Sequence, residues 1–500
     1  MAQPVDLGLS TGEGRDPAIA SVRLINCYAD DLGREAKVRH PILACDGFDV
    51  WDTTQVTFGA LDQTGYVDGV NRGLFSGAVY LYNASGNGFF RMSEGSWYNM
   101  TGMESDLPAD DSYCYFAEIT GRNTRFIAVW AQVNNSDNCA YTGTSAQLID
   151  GVSAVSLPAS SSRLTSVCSI DDYFVLTYSN GEFYISGLGT AVFDPLDFAN
   201  AGFALTRGVR RGKDLVLAGP SGMAFWTNTG AADFPFERVT ETSIGLLNPP
   251  ALVAMTAYAD GQAIETCIFP ATGLNKEYAG VRLLVGYESR KISNEEVDEA
   301  ILNEPTTTSI RACSFSRHGT TFYHIQGSTF SYEFNTRTGF WHARHGHDST
   351  VAPFSNAVDH AGRVVFTPQA GGKVWWISSE DLEPSAATAC TLRTSKDNGS
   401  TWTTVRSKAI GGTSARNTRI KFNRLGQSKE DGLQFEIKLT NAVVEANELA
   451  DMTIIPPAVH SWPARATFDT LHIDTIPGVS ETSTVKGVLQ IAVDIRQDQT

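Results

Sequence analysis

The feature of this 500-residue chain that most restricts its fold is a repeated pairing of short β-like runs. From about residue 70 to 378, an apolar run leads into a Gly/Asn/Ser turn and then a second run about ten residues on. Val79–Tyr82 precedes Phe89–Met92, and Phe126–Trp130 precedes Gln147–Ile149. Tyr173–Tyr178 precedes Phe183–Ile185 across Ser179-Asn180-Gly181, whose Asn-Gly pair is a strong hairpin signal. Leu215–Leu217, Val281–Val285, Phe322–Ile325 and Val364–Phe366 open the later pairs. Successive pairs lie roughly 40–65 residues apart, and hairpins recurring at about 40–50 residues are the signature of propeller blades. The repeats are divergent, so an array of β-sandwiches is the alternative architecture.

Composition supports a β-rich, turn-rich protein with a real core: 45 glycines, 42% hydrophobic residues, and only 19% charged residues against a usual share of about 25%. One helix is expected after Ser293-Asn294-Glu295-Glu296, which reads as a capping box with Ser293 as cap. Val297, Ala300 and Ile301 then share a face, and Pro305 ends it. Beyond about 385 the runs at Thr388–Arg393, Thr401–Val405, Thr418–Asn423 and Gln434–Asn441 alternate like half-buried antiparallel strands. The expected fold is all-β: an N-terminal arm over 1–50, a β-propeller-like body over 51–385, a β-sandwich domain over 386–450 and a C-terminal β extension over 451–500.

No stretch approaches the ~20 apolar residues of a membrane helix, and the N-terminus has no signal-peptide pattern. The eight cysteines are scattered without a C-x-x-C, which suits reduced, buried thiols. The net charge of −17 argues against gripping DNA or an anionic membrane over the whole surface. Charge is uneven, however. Residues 391–429 carry nine basic side chains and one acidic, a net +8, so the remainder carries −17 − 8 = −25. Within that segment Arg416, Arg419, Lys421 and Arg424 form a candidate docking surface; solvated strand faces are the plainer reading. Arg207, Arg210, Arg211 and Lys213 form a Gly-flanked basic loop, a candidate contact for DNA phosphates or for a neighbouring subunit.

Two motifs invite an enzymatic or metal reading. Ser395, Asp397, Gly399 and Trp402 fit the Asp-box S-x-D-x-G-x-T-W, a structural hairpin turn of sialidases and related propellers. One copy does not make a glycosidase. His342-Ala343-Arg344-His345-Gly346-His347 has imidazoles at alternate positions, but no flanking carboxylate or cysteine completes a ligand set and Arg344 opposes a cation. A polar turn at a blade edge is the expectation there, with no metal site. Walker A, G-x-S-x-G, H-E-x-x-H and Rossmann patterns are absent from the sequence, which calls for no cofactor and reads as a non-enzyme.

The order of several segments resembles the packaged-DNA stabilisation proteins of short-tailed phages, also called tail hub or nozzle proteins. Leu24-Ile25-Asn26-Cys27-Tyr28 is similar to that family's N-terminal "INCY" element. Phe193-Asp194-Pro195-Leu196-Asp197-Phe198-Ala199 resembles its "W-D-x-L-D-F-A" segment, with Phe193 in place of Trp. Trp226–Gly230 with Phe234–Arg238 resembles "W-x-N-T-G…F-P-F-x-R". Arg290–Ser293, Phe340–His342, and Ser395–Trp402 with Asn423–Gly426 resemble the later segments. The resemblance runs over roughly 20–450; the first 20 and last 50 residues depart from it.

What the resemblance implies is a homohexameric ring in the virion tail, assembled in the host cytoplasm. It would lie below the portal adaptor, extend the DNA channel and retain packaged DNA until ejection. Its partners would be other copies of itself, the adaptor, tail fibre, spike or needle proteins, and transiently the genomic DNA, with no membrane. The alternative is a glycan-binding or glycan-cleaving propeller of the tail.

Overall fold

The computed structural model describes residues 2–4, 23–29, 42–45, 48–50, 70–99 apart from 87 and 94–95, 113–120, 126–133, 138–144, 153–158, 162–377 apart from 260–261, 274, 318, 347–348, 353 and 369–374, 389–409 apart from 398–399, 418–428, 433–440, 452–455, 466–476 and 488–497. They are overwhelmingly antiparallel β-structure, arranged in a propeller-like body, an extension of one of its sheets and one further sheet.

Among the described residues seven sheets ring the body. Blade one is Asn71–Ser76, Leu81–Ser85, Gly88–Ser93 and Ser96–Asn99. Blade two is Cys114–Thr120, Phe126–Val133, Asn138–Thr144 and Ser153–Ala154. Blade three is Leu164–Ile170, Tyr173–Tyr178, Glu182–Ser186 and Phe193–Asn200. Blade four is Arg207–Arg211, Asp214–Gly219, Gly222–Asn228 and Phe236–Thr242. Blade five opens with a broken inner strand, Gly245–Leu246 and Val253–Ala259, followed by Gln262–Thr272, Tyr278–Val285 and Glu288–Lys291. Blade six is Arg311–Arg317, Thr320–Gln326, Ser331–Asn335 and Phe340–Ala343. Blade seven is Asn356–His360, Arg363–Thr367 and Trp375–Ile377, completed by Phe48–Val50 from near the N-terminus.

The first strand of each blade lies against the first strand of the next, and 356–360 returns against 71–76, so the ring closes. The core sits between blades. Phe183, Trp226 and Phe236 pack between blades three and four, Val216, Phe225 and Phe269 between four and five, and Phe315, Phe322 and Phe366 between six and seven. Polar latches run alongside. The Gly208 amide donates to Ser166 Oγ at 2.8 Å, Tyr323 Oη to the Ala251 carbonyl at 3.0 Å, and Asn356 Nδ2 to Asn71 Oδ1 at 2.9 Å across the ring closure. At the expected Asn180-Gly181 turn, Gly181 takes φ +93, and a Cβ there would meet the Phe203 carbonyl oxygen at 2.5 Å.

Arg23–Ile25, Cys27–Ala29, Ile42–Ala44 and Phe48–Val50, from the segment expected as an arm, are built into sheets. Arg23–Ile25 lies parallel to the outer strand of blade six, with Ile25 opposite Ala343, and antiparallel to Met452–Ile455. The blade-six sheet thereby continues through Met452–Ile455, Gln434–Thr440, Ala389–Ser395 and Arg406–Ala409. A second sheet joins Cys27–Ala29, Ile42–Ala44, Val488–Gln497, Ala466–Ile476 and Thr418–Ser428, with Ala2–Pro4 added beside Val488–Gln497. Strands from either side of residue 450 therefore share both sheets. The boundary placed near 385 falls outside the described residues.

The helix is Glu295–Leu302 and buries Val297 and Ile301 against blades five and six. Its cap is Asn294, whose side chain accepts from the Val297 amide, and not Ser293. Ser293 Oγ is engaged elsewhere, accepting from the Val281 amide at 2.9 Å. Two of the helix acids meet neighbouring side chains: Asp298 accepts from Tyr278 Oη at 2.8 Å and pairs with Lys291 at 2.6 Å, and Glu296 accepts from Tyr332 Oη at 3.0 Å. Just beyond, buried Glu304 accepts from the Ser328 amide at 3.0 Å, Thr329 Oγ1 at 3.0 Å and Ser309 Oγ at 2.8 Å, as well as from Ser328 Oγ. Burial pushes its pKa up, but the hydrogen bonds from Ser328, Ser309 and Thr329 prevail and hold it below the ordinary carboxylate value.

Two outcomes follow. Phe183 is fully buried with its ring centroid 5.0 Å from Trp226, so Phe183→Ala should cost about 3–5 kcal/mol by denaturant unfolding. Because the Glu304 carboxyl is depressed in the fold, its contribution is present above the unfolded pKa of about 4.3 and lost as pH falls below it. Glu304→Gln should therefore flatten the acid limb of a stability–pH curve relative to wild type.

Candidate functional site: the blade-four arginines and the propeller axis

The basic residues 207–213 do not form one presented loop. They span the first strand of blade four and its turn. Arg210 and Lys213 are exposed. Arg211 is buried, pairing with Asp214 at 2.6 Å and donating to the Gly286 carbonyl of blade five. Its guanidinium also lies 5.2 Å from the Phe225 ring centroid. Arg211 is thus a latch between blades. Arg211→Ala should cost about 3–5 kcal/mol, since it leaves the Asp214 charge buried alone, whereas Arg210→Ala should stay within about 0.5 kcal/mol in the same unfolding assay.

Arg207 points elsewhere. Its guanidinium carbon sits 3.8 Å over the Tyr115 ring of blade two. The inner strand of blade three lies between blades two and four around the ring, so this contact passes in front of that strand. Tyr113 and Tyr115 have centroids 5.0 Å apart, and Arg311, opening blade six, lies 5.7 Å over Tyr113 while donating to the Asn71 carbonyl at 2.7 Å. Burial raises the pKa of Tyr113, and the charges of Arg207 and Arg311 both oppose that rise, as expected of groups sharing one end of the axis. Arg207 Nε and Nη1 are buried and find no hydrogen-bond partner among the described residues. A buried donor without an acceptor costs about 1–3 kcal/mol, and the Tyr115 face offsets part of that cost. Sequence reading missed Tyr113, Tyr115 and Arg311. The available signal was positional, because Arg207 and Arg311 each begin a blade's first strand.

The basic C-terminal group is only partly visible. Arg416 lies outside the described residues, as do the side chains of Arg419 and Arg424, whose backbone runs in Thr418–Ser428. Lys421 is exposed, and its carbonyl accepts from Lys408. The described part of the Asp-box motif forms a turn around Asp397. Asp397 accepts from Ser395 Oγ at 2.7 Å, the Thr401 amide at 2.8 Å and Thr401 Oγ1 at 2.5 Å, and these bonds lower its pKa to about 2. Trp402 packs beneath Arg393, 4.9 Å from its ring centroid, and Arg393 in turn pairs with Glu436. Gly399 lies outside the described residues.

The His-rich run divides. His342 is buried in blade six, its Nε2 2.8 Å from Glu333 Oε2. His324 Nδ1 lies 3.3 Å and Arg344 Nε 3.8 Å from Glu333 Oε1. Burial opposes charge on His342, yet Cys45 and Glu333 beside it prevail and its pKa rises to about 9. Burial likewise opposes ionisation of Glu333, but hydrogen bonds from His324 and His342 and the Arg344 charge hold it well below the usual range. His345 is half-buried and its pKa falls to about 4, through burial and the Arg23 charge; its amide donates to Asn26 Oδ1 at 2.9 Å. His347 lies outside the described residues.

No protein-family profile matches the chain, and no curated protein matches it. Among solved structures, it is similar to the computationally designed Ika8 protein, at 13% identity and TM-score 0.37, over 72% of this chain and all of that one. A chain of the Mitotic Checkpoint Complex matches at 8% identity and TM-score 0.39, over 66% and 97%. The WD40 β-propeller domain of Doa1 matches at 7% identity and TM-score 0.35, over 67% and 98%. Among the described residues no helix is long and apolar enough to cross a membrane.

Proposed function

We propose that this chain is a structural subunit of a short-tailed phage tail hub, with a propeller-like body and a C-terminal β-sandwich domain. It would form a ring below the portal adaptor, extend the DNA channel and help retain packaged DNA. The observation that carries this reading is the outer edge of blade three, within a segment that resembles the hub family. Ser186 pairs with Phe193 and Tyr184 with Phe198, so 194–197 bulge away from the sheet. The bulge throws Leu196 into solvent at 82% exposure, with Val192 at 71% and Phe198 at 44% beside it. An apolar edge of this kind is covered in assemblies. Pro195 lacks an amide, and Asp194 accepts from the Leu196 amide at 2.9 Å, so the edge suits side-chain packing against another copy rather than strand addition.

Other segments of the resemblance have structural work that fits a scaffold. Thr229 donates its amide to the Pro235 carbonyl at 2.7 Å, and Arg238 lies 5.2 Å over the Trp226 ring while donating to the Asn200 carbonyl of blade three at 2.9 Å. Trp341 Nε1 donates to the Ile292 carbonyl at 2.8 Å. Arg207 packs on Tyr115 between blades four and two, and in this reading DNA passes between copies, where an acidic net charge keeps it from adhering. The exposed Lys421 strand remains the candidate docking face toward the adaptor or a fibre, spike or needle protein.

Particles assembled with Leu196→Asp as the sole copy should contain at least about 10-fold less of this chain by quantitative mass spectrometry, equivalent to about 1.4 kcal/mol of lost contact. The purified variant should keep its wild-type melting temperature. Full incorporation would rule out this edge as a subunit contact, and absence of the wild-type chain from tails would overturn the hub reading.

A further inference from the structure

Resting on the ring reading above, we infer that successive copies meet head to tail, with the acidic-rimmed apolar edge of blades three and four on one copy against the basic strand Arg406–Ala409 of the next. The edge continues past Leu196. Val239 of blade four falls between Arg238 and Thr240, which pair with Trp226 and Phe225, so it too bulges from its sheet, at 42% exposure. Arg238 ties the two outer strands together by donating to the Asn200 carbonyl at 2.9 Å. The charged residues of Phe193–Asn200 and Phe236–Thr242 are Asp194, Asp197, Glu237, Arg238 and Glu241, a net −3. Burial and the Asp194 charge both raise the pKa of Asp197, so a cation brought beside this pair is favoured.

Copies that each carry −17 repel as wholes, so contact between them needs a local basic partner. The chain supplies one in the segment 391–429, at net +8. There Val405 is 57% exposed, and every residue of Arg406–Ala409 is exposed. Lys408 meets the Lys421 carbonyl and the Phe422 ring, neither of which neutralises it. Arg406–Ala409 pairs with Ala389–Ser395 and ends the sheet that extends blade six. Lysine and arginine on such an edge discourage strand addition, which leaves contact through side chains. Blade three stands three blades from blade six in the ring of seven, so the two surfaces lie on different sides of one copy and meet only between copies. Two unlike surfaces joined head to tail propagate, and they close into a ring when the rotation allows.

The test uses the full chain in purified tails. The photoreactive residue benzoylphenylalanine, placed at Val405, should form a dimer-sized adduct on irradiation, joined to residues 192–200 or 236–242 of a neighbouring copy. Asp194→Lys with Asp197→Lys should lower incorporation into tails at least about 10-fold, and so should Arg406→Glu with Lys408→Glu. All four changes in one chain should restore incorporation to within about twofold of wild type. An adduct with the adaptor or a fibre protein, or none in tails that contain the chain, overturns the head-to-tail contact and leaves the hub reading standing. So does a folded fourfold variant that stays out of tails. Tails that lack the wild-type chain overturn both. The adduct reads the contact even if a charge variant fails to fold.

Discussion

Asn26 occupies a corner where three lengths of backbone meet. Its amide donates to the Ala343 carbonyl at 2.9 Å, its carbonyl accepts the Cys45 amide at 2.8 Å, and its side chain accepts the His345 amide at 2.9 Å. It does so at φ +55, a left-handed conformation that asparagine tolerates better than most residues. The turn sends Arg23–Ile25 into the sheet that extends blade six and Cys27–Ala29 into the other C-terminal sheet. Tyr28 then packs at 5.1 Å on Phe322 and at 5.6 Å on His342. Phe48–Val50 follows to complete blade seven. The outer strand of blade seven and the attachment of the C-terminal sheets thus both come from the strands within 23–29, 42–44 and 48–50.

That dependence explains the chemistry gathered at Glu333. A charge buried in a sheet has to be answered locally, and here the answers come from neighbouring strands of blade six and from Cys45 across the join. Elsewhere the blades are held by apolar faces with single polar latches, such as Arg211 to Asp214 and Gly286. The axis is different again, because Arg207 is satisfied by an aromatic face more than by hydrogen bonds.

Local features were legible in the sequence. The Asn180-Gly181 hairpin, the helix near 295–302 and the Asp397 turn each depend on residues within a few positions, and turn chemistry encodes them directly. The blade periodicity was legible for the same reason. The Ser293 cap misread shows the limit: Ser293 and Asn294 are both good caps, and only the Val281 amide across the sheet decides between them. The basic loop misled because charge in sequence says nothing about which arginine meets Asp214 and which meets Tyr115. The Cys45–Glu333–His342 group was illegible, since its members are brought together by a parallel pairing of Ile25 with Ala343 that no local pattern announces. Within 1–50 the apolar run Val22–Tyr28 reads as a short extended element, and Arg23–Ile25 and Cys27–Ala29 lie in it; the sheets those strands join are what the sequence leaves unread.

The central claim is that the strands within 23–29, 42–44 and 48–50 are an integral part of the fold rather than an appendage. Native-state hydrogen exchange of the full chain tests it at named amides. The amides of Asn26, Cys45 and His345 should exchange as slowly as those within blade three, such as Val175 and Leu176, because opening the corner opens the body. Rapid exchange at Asn26 and Cys45 while the blade-three amides stay protected would contradict the account.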